Sequence, residues 1–239
     1  MTPPHSYYPV GVEIPNYVPN EWSTLALVST FATACAAVLG VAYTFATKTN
    51  SRISKSELSK VFWFALCGSI HSILEGYYAR NFATLPGEQT LLAQLWKEYS
   101  MSDSRYLTNN SFVMCMEAIT AICWGPASFL LAYFIVTENA FRHPLQIIIS
   151  LGQLYGDVLY YGTCAFEFLV NGLEFSRPEA YYFYGYFVLL NAFWIVIPTL
   201  LIVDSVKACG RAFAKVKKAA APQVKRATEP KVNGTGKSR

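Results

Sequence analysis

The chain has 239 residues, 53% of them hydrophobic, 15% aromatic and only 14% charged, with a formal net charge of +4. So apolar and charge-poor a composition excludes an ordinary soluble domain. The apolar residues also gather into runs of about 20 or more, the length needed to cross a hydrocarbon core of roughly 30 Å.

Five such runs stand in chain order, at 23–46, 58–78, 111–136, 145–170 and 180–203. None alternates apolar and polar residues as a membrane strand would, so the expected fold is an all-α integral membrane protein, a five-transmembrane-helix bundle forming one domain over 23–203. Residues 1–22 form a Pro- and aromatic-rich segment ("HSYYPVGVEIPNYVPNEW") with no positively charged n-region, so the first run is not read as a removable signal peptide. Residues 204–239 form a basic tail with little to bury, for which disorder is expected.

The first run carries little polarity beyond Thr30, Thr33 and Thr44. The second places His71 and Glu75 at i and i+4, on one helix face. The connection that follows, 79–110, holds "LAQLWKEYSMSDSRY", with Leu92, Leu95, Trp96 and Tyr99 at helical spacing, and is expected as an interfacial helix or lid over the bundle. In the third run Glu117, Thr120 and Trp124 share a face, and Gly125 and Pro126 behind them predict a kink. The fourth stacks Gln153 over Asp157, with Gly152 and Gly156 allowing close helix approach. The fifth offers Asn191 and Trp194.

Charge sets the expected orientation. Ten of the 19 basic residues lie between Lys207 and Arg239, opposed there by Glu229 alone, and none precedes Lys48. The positive-inside rule then puts the C-terminus in the cytosol and the N-terminus across the membrane. The tail can touch anionic lipid, but it lacks the interleaved aromatic residues of a nucleic-acid site, so no nucleic-acid partner is expected. The six cysteines form no C-x-x-C pair and read as packing residues. The sequons at Asn109 and Asn233 are expected to stay unmodified, the first because it abuts a span and the second because it faces the cytosol.

An ionisable group at the centre of a span costs about 2.5 to 3.5 kcal/mol on insertion scales, which makes His71, Glu75 and Glu117 functional candidates. Without a Lys or Arg partner they are not an ordinary buried salt bridge. Two carboxyl groups confined together favour one neutral acid beside one ionised partner, which is a proton donor and a proton acceptor in one site. A ligand that is cationic, or becomes so, would meet a carboxylate and the face of a tryptophan. A metal competes for the same residues, but the E-x-x-H pairs of di-iron bundles are missing and His5 and His143 lie elsewhere, so no metal is expected. Neither a nucleotide fingerprint nor a hydrolase motif is present.

Taken in order, "NYVPNEW", "HSILEGYY", "LWKEYSMSDSRY", "CMEAITAICWGP", "LGQLYGDVLYY" and "NAFWIVIP" resemble the emopamil-binding protein family, the sterol Δ8-Δ7 isomerases of the endoplasmic reticulum, over about 8–204. The resemblance implies a cofactor-independent membrane enzyme that protonates C9 of a Δ8 sterol, stabilises a C8 carbocation and removes a proton from C7. It implies that His71, Glu75, Glu117 and Trp194 are catalytic, with Trp194 facing the cation. Thr120 and Asn191 would orient the carboxylates, and Tyr106, with Asp103, would cap the cavity. Trp124 would line the substrate pocket, and His71, with an unperturbed pKa of about 6.5, suits a proton shuttle. The implied partners are a sterol, cationic amphiphilic amine inhibitors, the lipid bilayer and a second copy in a homodimer.

Two rival readings use the same residues. One is a non-catalytic binder of sterols and amphiphilic amines, of the sigma-2-receptor type within the same superfamily resemblance. The other is a small transporter or proton channel, against which the sparse polarity of the first run counts.

Overall fold

The computed structural model describes residues 5–227; 1–4 and 228–239, with the Asn233 sequon and the end of the basic tail, lie outside the described residues. Among the described residues the regular structure is entirely helical. Helix α1 (Thr24–Thr49) starts at Ser23, whose hydroxyl accepts the Ala26 N–H, and α2 (Lys55–Ser69) starts at Ser54 with Glu57 in its first turn. Both are ordinary N-caps, satisfying donors that a helix start leaves orphaned. From α2 the backbone stays helical through a π-helical segment, Ile70–Glu75, into α3 (Gly76–Asn81).

A short 3₁₀ turn (Leu85–Gly87) leads to α4 (Leu91–Tyr99), and a second (Ser104–Leu107) leads to α5 (Ser111–Ile119). Helix α5 passes through a second π-helical segment, Thr120–Trp124, into α6 (Gly125–Val136). Helix α7 (Arg142–Phe166) ends in a π-helical turn, Glu167–Asn171. A last π-helical stretch, Tyr181–Leu190, runs into α8 (Asn191–Ala227). Among the described residues, three helical stretches are long and apolar enough to cross a membrane: Thr24–Thr49, Ser111–Val136 and Tyr181–Ala220.

Helix α7 lies along α8, α2 against α6, and α1 against α2. In a bilayer this packing gains nothing from the hydrophobic effect, because lipid tails are as apolar as leucine; close contact between helices must hold it. A Cβ on Gly152 of α7 would collide with the Trp124 indole, so that glycine is what admits the tryptophan. One core, with Phe64, Leu131, Ile135, Ile149 and Leu201, fills the end nearer the Lys60–Asp204 ion pair of 2.6 Å. The other, built on Tyr78, Trp96, Tyr106 and Tyr160, fills the opposite end.

Over that second end sits the lid expected from 79–110, and its buried face differs from the expectation. Gln94, Lys97 and Glu98 are buried, whereas Leu92 and Leu95 are only half-buried. The reason is that residues 5–22 wrap over α4 and their backbone groups need partners. Gln94 Oε1 accepts the N–H groups of Glu21 and Trp22 at 2.8 and 2.9 Å. The Lys97 ammonium donates to the carbonyls of Val18 and Glu88 at 2.8 and 2.7 Å.

The tail also departs from its expectation. Helix α8 does not stop near Val203 but continues to Ala227. Alanine and lysine, which dominate 214–220, are strong helix formers, and an established helix extends cheaply through them even with no core to join.

Candidate functional site

Two of the π-helical segments, Ile70–Glu75 and Thr120–Trp124, frame the site. In Ile70–Glu75 the Gly76 N–H bonds back to the His71 carbonyl, a step of five residues rather than four. The wider turn brings His71 and Glu75 closer to eclipse, and His71 Nδ1 lies 2.7 Å from both Glu75 oxygens. Widening a helix also strands carbonyls. The Leu74 carbonyl is taken up by the Trp96 indole N–H of the lid at 2.8 Å, which ties α4 to the segment that carries the site.

The second π-helical segment begins three residues after Glu117, where Pro126 lacks the N–H that a regular helix would use and the Gly125 N–H reaches back to the Thr120 carbonyl. The kink expected at Gly125 and Pro126 is therefore a π-helical turn just before them. Gly125 is required for another reason: a Cβ there would strike Ser72 Oγ and sit 3.4 Å from His71 Cβ. The start of α6 thus presses directly on the backbone that carries His71.

His71 is 3% exposed and Glu117 4%, so both are well inside the bundle. Glu117 sits on α5, which packs against the segment that carries Glu75. It also accepts the Tyr106 hydroxyl at Oε1, 2.7 Å. Lys and Arg ion pairs among the described residues use Glu57, Asp103, Glu179 and Asp204, and neither Glu75 nor Glu117. Arg105, buried near the site, is held by Asp103 at 2.7 Å and by Thr163 at 2.7 Å. Among the described residues the carboxyl pair therefore has His71 as its one basic partner.

Other expected residues sit differently. Trp194 packs edge-on to His71 with ring centroids 6.3 Å apart and leans on Trp63 at 5.3 Å; its indole N–H is buried without a partner among the described residues. The Thr120 hydroxyl donates to the Glu117 backbone carbonyl at 2.8 Å, not to a carboxylate, the habit of threonine inside a helix. Asn191 exchanges hydrogen bonds with Tyr99 at 3.1 and 3.2 Å and donates to the Phe187 carbonyl at 2.7 Å, so it reaches Glu117 only through the Tyr99 and Tyr106 rings, 5.4 Å apart. Trp124 is half-buried in the aliphatic core against Gly152. Asp103 caps the 3₁₀ turn and pairs with Arg105.

Gln153 is the partner that the candidate set lacks. Its side-chain amide nitrogen is 3.0 Å from His71 Nε2, so both ring nitrogens are engaged and the shuttle expected of His71 finds no free one. Its i, i+4 stacking with Asp157 on the inner face of α7 was the only signal in the sequence. Among the described residues no three His, Cys, Asp or Glu side chains converge as a metal site.

A family model described as "EBP: EXPERA (EXPanded EBP superfamily)" matches residues 91–205. The mouse protein named 3-beta-hydroxysteroid-Delta(8),Delta(7)-isomerase is 37% identical over 206 residues, covering 86% of this chain and 88% of its own. The chain belongs to the EBP family. A rice member, a probable 3-beta-hydroxysteroid-Delta(8),Delta(7)-isomerase, is 32% identical over 88% of this chain and 94% of its own. A Citrus sinensis protein with another name, Protoglabretal synthase MOI1, is 36% identical over 62% of this chain and 68% of its own.

Proposed function

We propose that this EBP-family chain is a sterol Δ8-Δ7 isomerase. The observation that carries the reading is the buried His71, Glu75 and Glu117 set, free of any Lys or Arg, in a chain similar over most of its length to proteins named for that reaction. Hydrogen bonding divides the roles. Glu75 faces the His71 ring nitrogen with both oxygens and is the natural seat of the negative charge. Two neighbouring carboxyl groups do not readily ionise together, so Glu117, whose Oε1 accepts the Tyr106 hydroxyl, serves as the acid.

Glu117 then delivers its proton to C9, and the C8=C9 electron pair forms the new C9–H bond and leaves C8 cationic. Glu75 and the Trp194 face stabilise that cation. Glu75 next takes the proton from C7, whose C–H electrons become the C7=C8 bond. The proton returns from Glu75 to the neighbouring Glu117 and exchanges with water between turnovers, so the enzyme ends as it began. Tyr106, locked between Trp96 and Glu117, holds the acid in place.

The same reading places all five apolar runs across the endoplasmic reticulum membrane as a five-span bundle, with the N-terminal segment and lid on the lumenal side and the end of α8 in the cytosol. Residues 1–22, 23–203 and 204–239 then act as lid, isomerase domain and cytosolic tail. A negatively charged pocket shaped for a carbocation also takes cationic amphiphilic amines. A homodimer would use the exposed lipid-facing side of α1, where Ala36, Ala37 and Gly40 permit close approach. The test is direct: purified protein given a Δ8 sterol should yield the Δ7 isomer with no added cofactor, and Glu117→Gln should not. No Δ7 product from folded wild-type protein would instead support a binder without turnover.

A further inference from the structure

We infer that Gln153 is a positioning residue that fixes His71 as the neutral Nδ1–H tautomer, and so keeps the negative charge of Glu75 uncompensated for the developing cation. The inference rests on the isomerase reading for its consequence, but its geometry stands alone. An amide NH₂ can only donate, so the Gln153 nitrogen 3.0 Å from His71 Nε2 requires a lone pair there. The single ring proton is then on Nδ1, 2.7 Å from both Glu75 oxygens, where it donates to the carboxylate. Gln153 is 4% exposed, so water does not compete for the contact.

The charge consequence decides what the arrangement is for. An imidazolium at position 71 would cancel the Glu75 charge and repel a cation forming nearby. A neutral imidazole with its proton aimed at Glu75 orients the carboxylate and leaves the site net negative. Gln153 favours that state because a second proton on Nε2 would meet an N–H instead of an acceptor. The titratable and charged groups facing His71 are Glu75 and Cys67 on its own helix and Glu117 from α5, with Asp157 one turn beyond Gln153 on α7; none is a Lys or Arg.

Histidine-selective ¹⁵N NMR on the purified full chain, with His71→Gln to assign the signal, reads the tautomer directly. The expected spectrum at neutral pH shows His71 with a protonated Nδ1 and a bare Nε2; an imidazolium, or a proton on Nε2, overturns the inference. Gln153→Leu should mix the tautomers and lower kcat roughly ten- to a hundredfold, the loss of one buried hydrogen bond to a polar group, with a smaller change in KM. Gln153→Glu, nearly isosteric, offers an acceptor and should turn His71 into imidazolium and displace the acid limb of the kcat/KM profile well to higher pH, whereas Gln153→Leu, which only removes the donor, displaces it less in the same direction. A merely structural role would lower activity in both without this graded displacement. If Gln153→Leu does not fold, the wild-type spectrum and Gln153→Glu still decide. If the wild type turns over no Δ8 sterol, the isomerase reading fails while the tautomer is tested regardless.

Discussion

Tyr106 reaches from the lid to Glu117: its hydroxyl donates to Glu117 Oε1 at 2.7 Å while its ring stacks on Trp96, centroids 4.7 Å apart. Trp96 in turn donates to the Leu74 carbonyl inside the π-helical segment that carries His71 and Glu75. The lid is therefore bonded to both halves of the proposed proton-handling set. Tyr106→Phe keeps the stacking and removes the donor, so kcat should fall roughly tenfold, the value of one hydrogen bond to a carboxyl group, with the thermal melt in detergent nearly unchanged. Turnover equal to wild type would separate the lid from the chemistry.

Glu75→Gln and Glu117→Gln each keep shape and lose a proton-transfer group. Isomerisation should drop by at least about a hundredfold in each, the lower end of general acid–base catalysis, in protein that still melts cooperatively. Sterol product analysis on both variants checks this, and normal turnover by either would remove that residue from its role.

Trp194→Ala should weaken binding of a tertiary-amine amphiphile about five- to thirtyfold, matching roughly 1 to 2 kcal/mol for a desolvated cation on an indole face. Equilibrium binding in detergent measures it. Unchanged affinity would mean that the amine does not meet this ring, whatever its 6.3 Å approach to His71.

Gly125→Ala introduces a methyl against Ser72 and close to His71 Cβ, at the backbone of the first π-helical segment. Displacing that backbone by a few tenths of an ångström misplaces His71 and Glu75 together, so activity should fall more than tenfold while the fold survives. Gly156→Ala, where the added Cβ meets nothing within 4 Å, is the control and should turn over normally. Equal activity in the two variants would contradict the argument.

Lys97 offers a pH signature outside the spans. Burial, only partly opposed by the charges of Glu21 and Glu88, lowers it from its usual 10.5 to about 8. Below about pH 8 both folded and unfolded chains hold the proton and the burial penalty is fully present. As pH rises from there toward 10.5 the unfolded chain binds more protons than the folded one, so Lys97 makes stability increase. The difference in melting temperature between wild type and Lys97→Met should therefore grow in favour of wild type over that window. A constant difference would show that the ammonium is not held as described.

The long helices were legible because membrane helices advertise themselves by apolar run length, and the His71, Glu75 and Glu117 set because charges inside such runs are costly. What sequence could not supply was local helix geometry. A π-helical turn leaves no periodic mark, so the eclipsing of His71 with Glu75 and the capture of the Leu74 carbonyl by Trp96 appear only in three dimensions. Thr120 and Asn191 share helical faces with the acids, yet a threonine hydroxyl prefers its own backbone and Asn191 finds Tyr99 first. The lid misled in a similar way: Leu92 and Leu95 set its periodicity, but the wrapping of 5–22 decides its buried face.

The central claim is that acid and base groups inside the bundle exchange protons with opposite ends of a sterol allyl unit. Turnover of a Δ8 sterol by purified protein in heavy water, followed by mass spectrometry and NMR of the product, tests it most directly. The account predicts solvent deuterium at C9 of the Δ7 product, lost in Glu117→Gln. Sterol that is bound and recovered without deuterium, or isomerised with C9 carrying only protium, would contradict it.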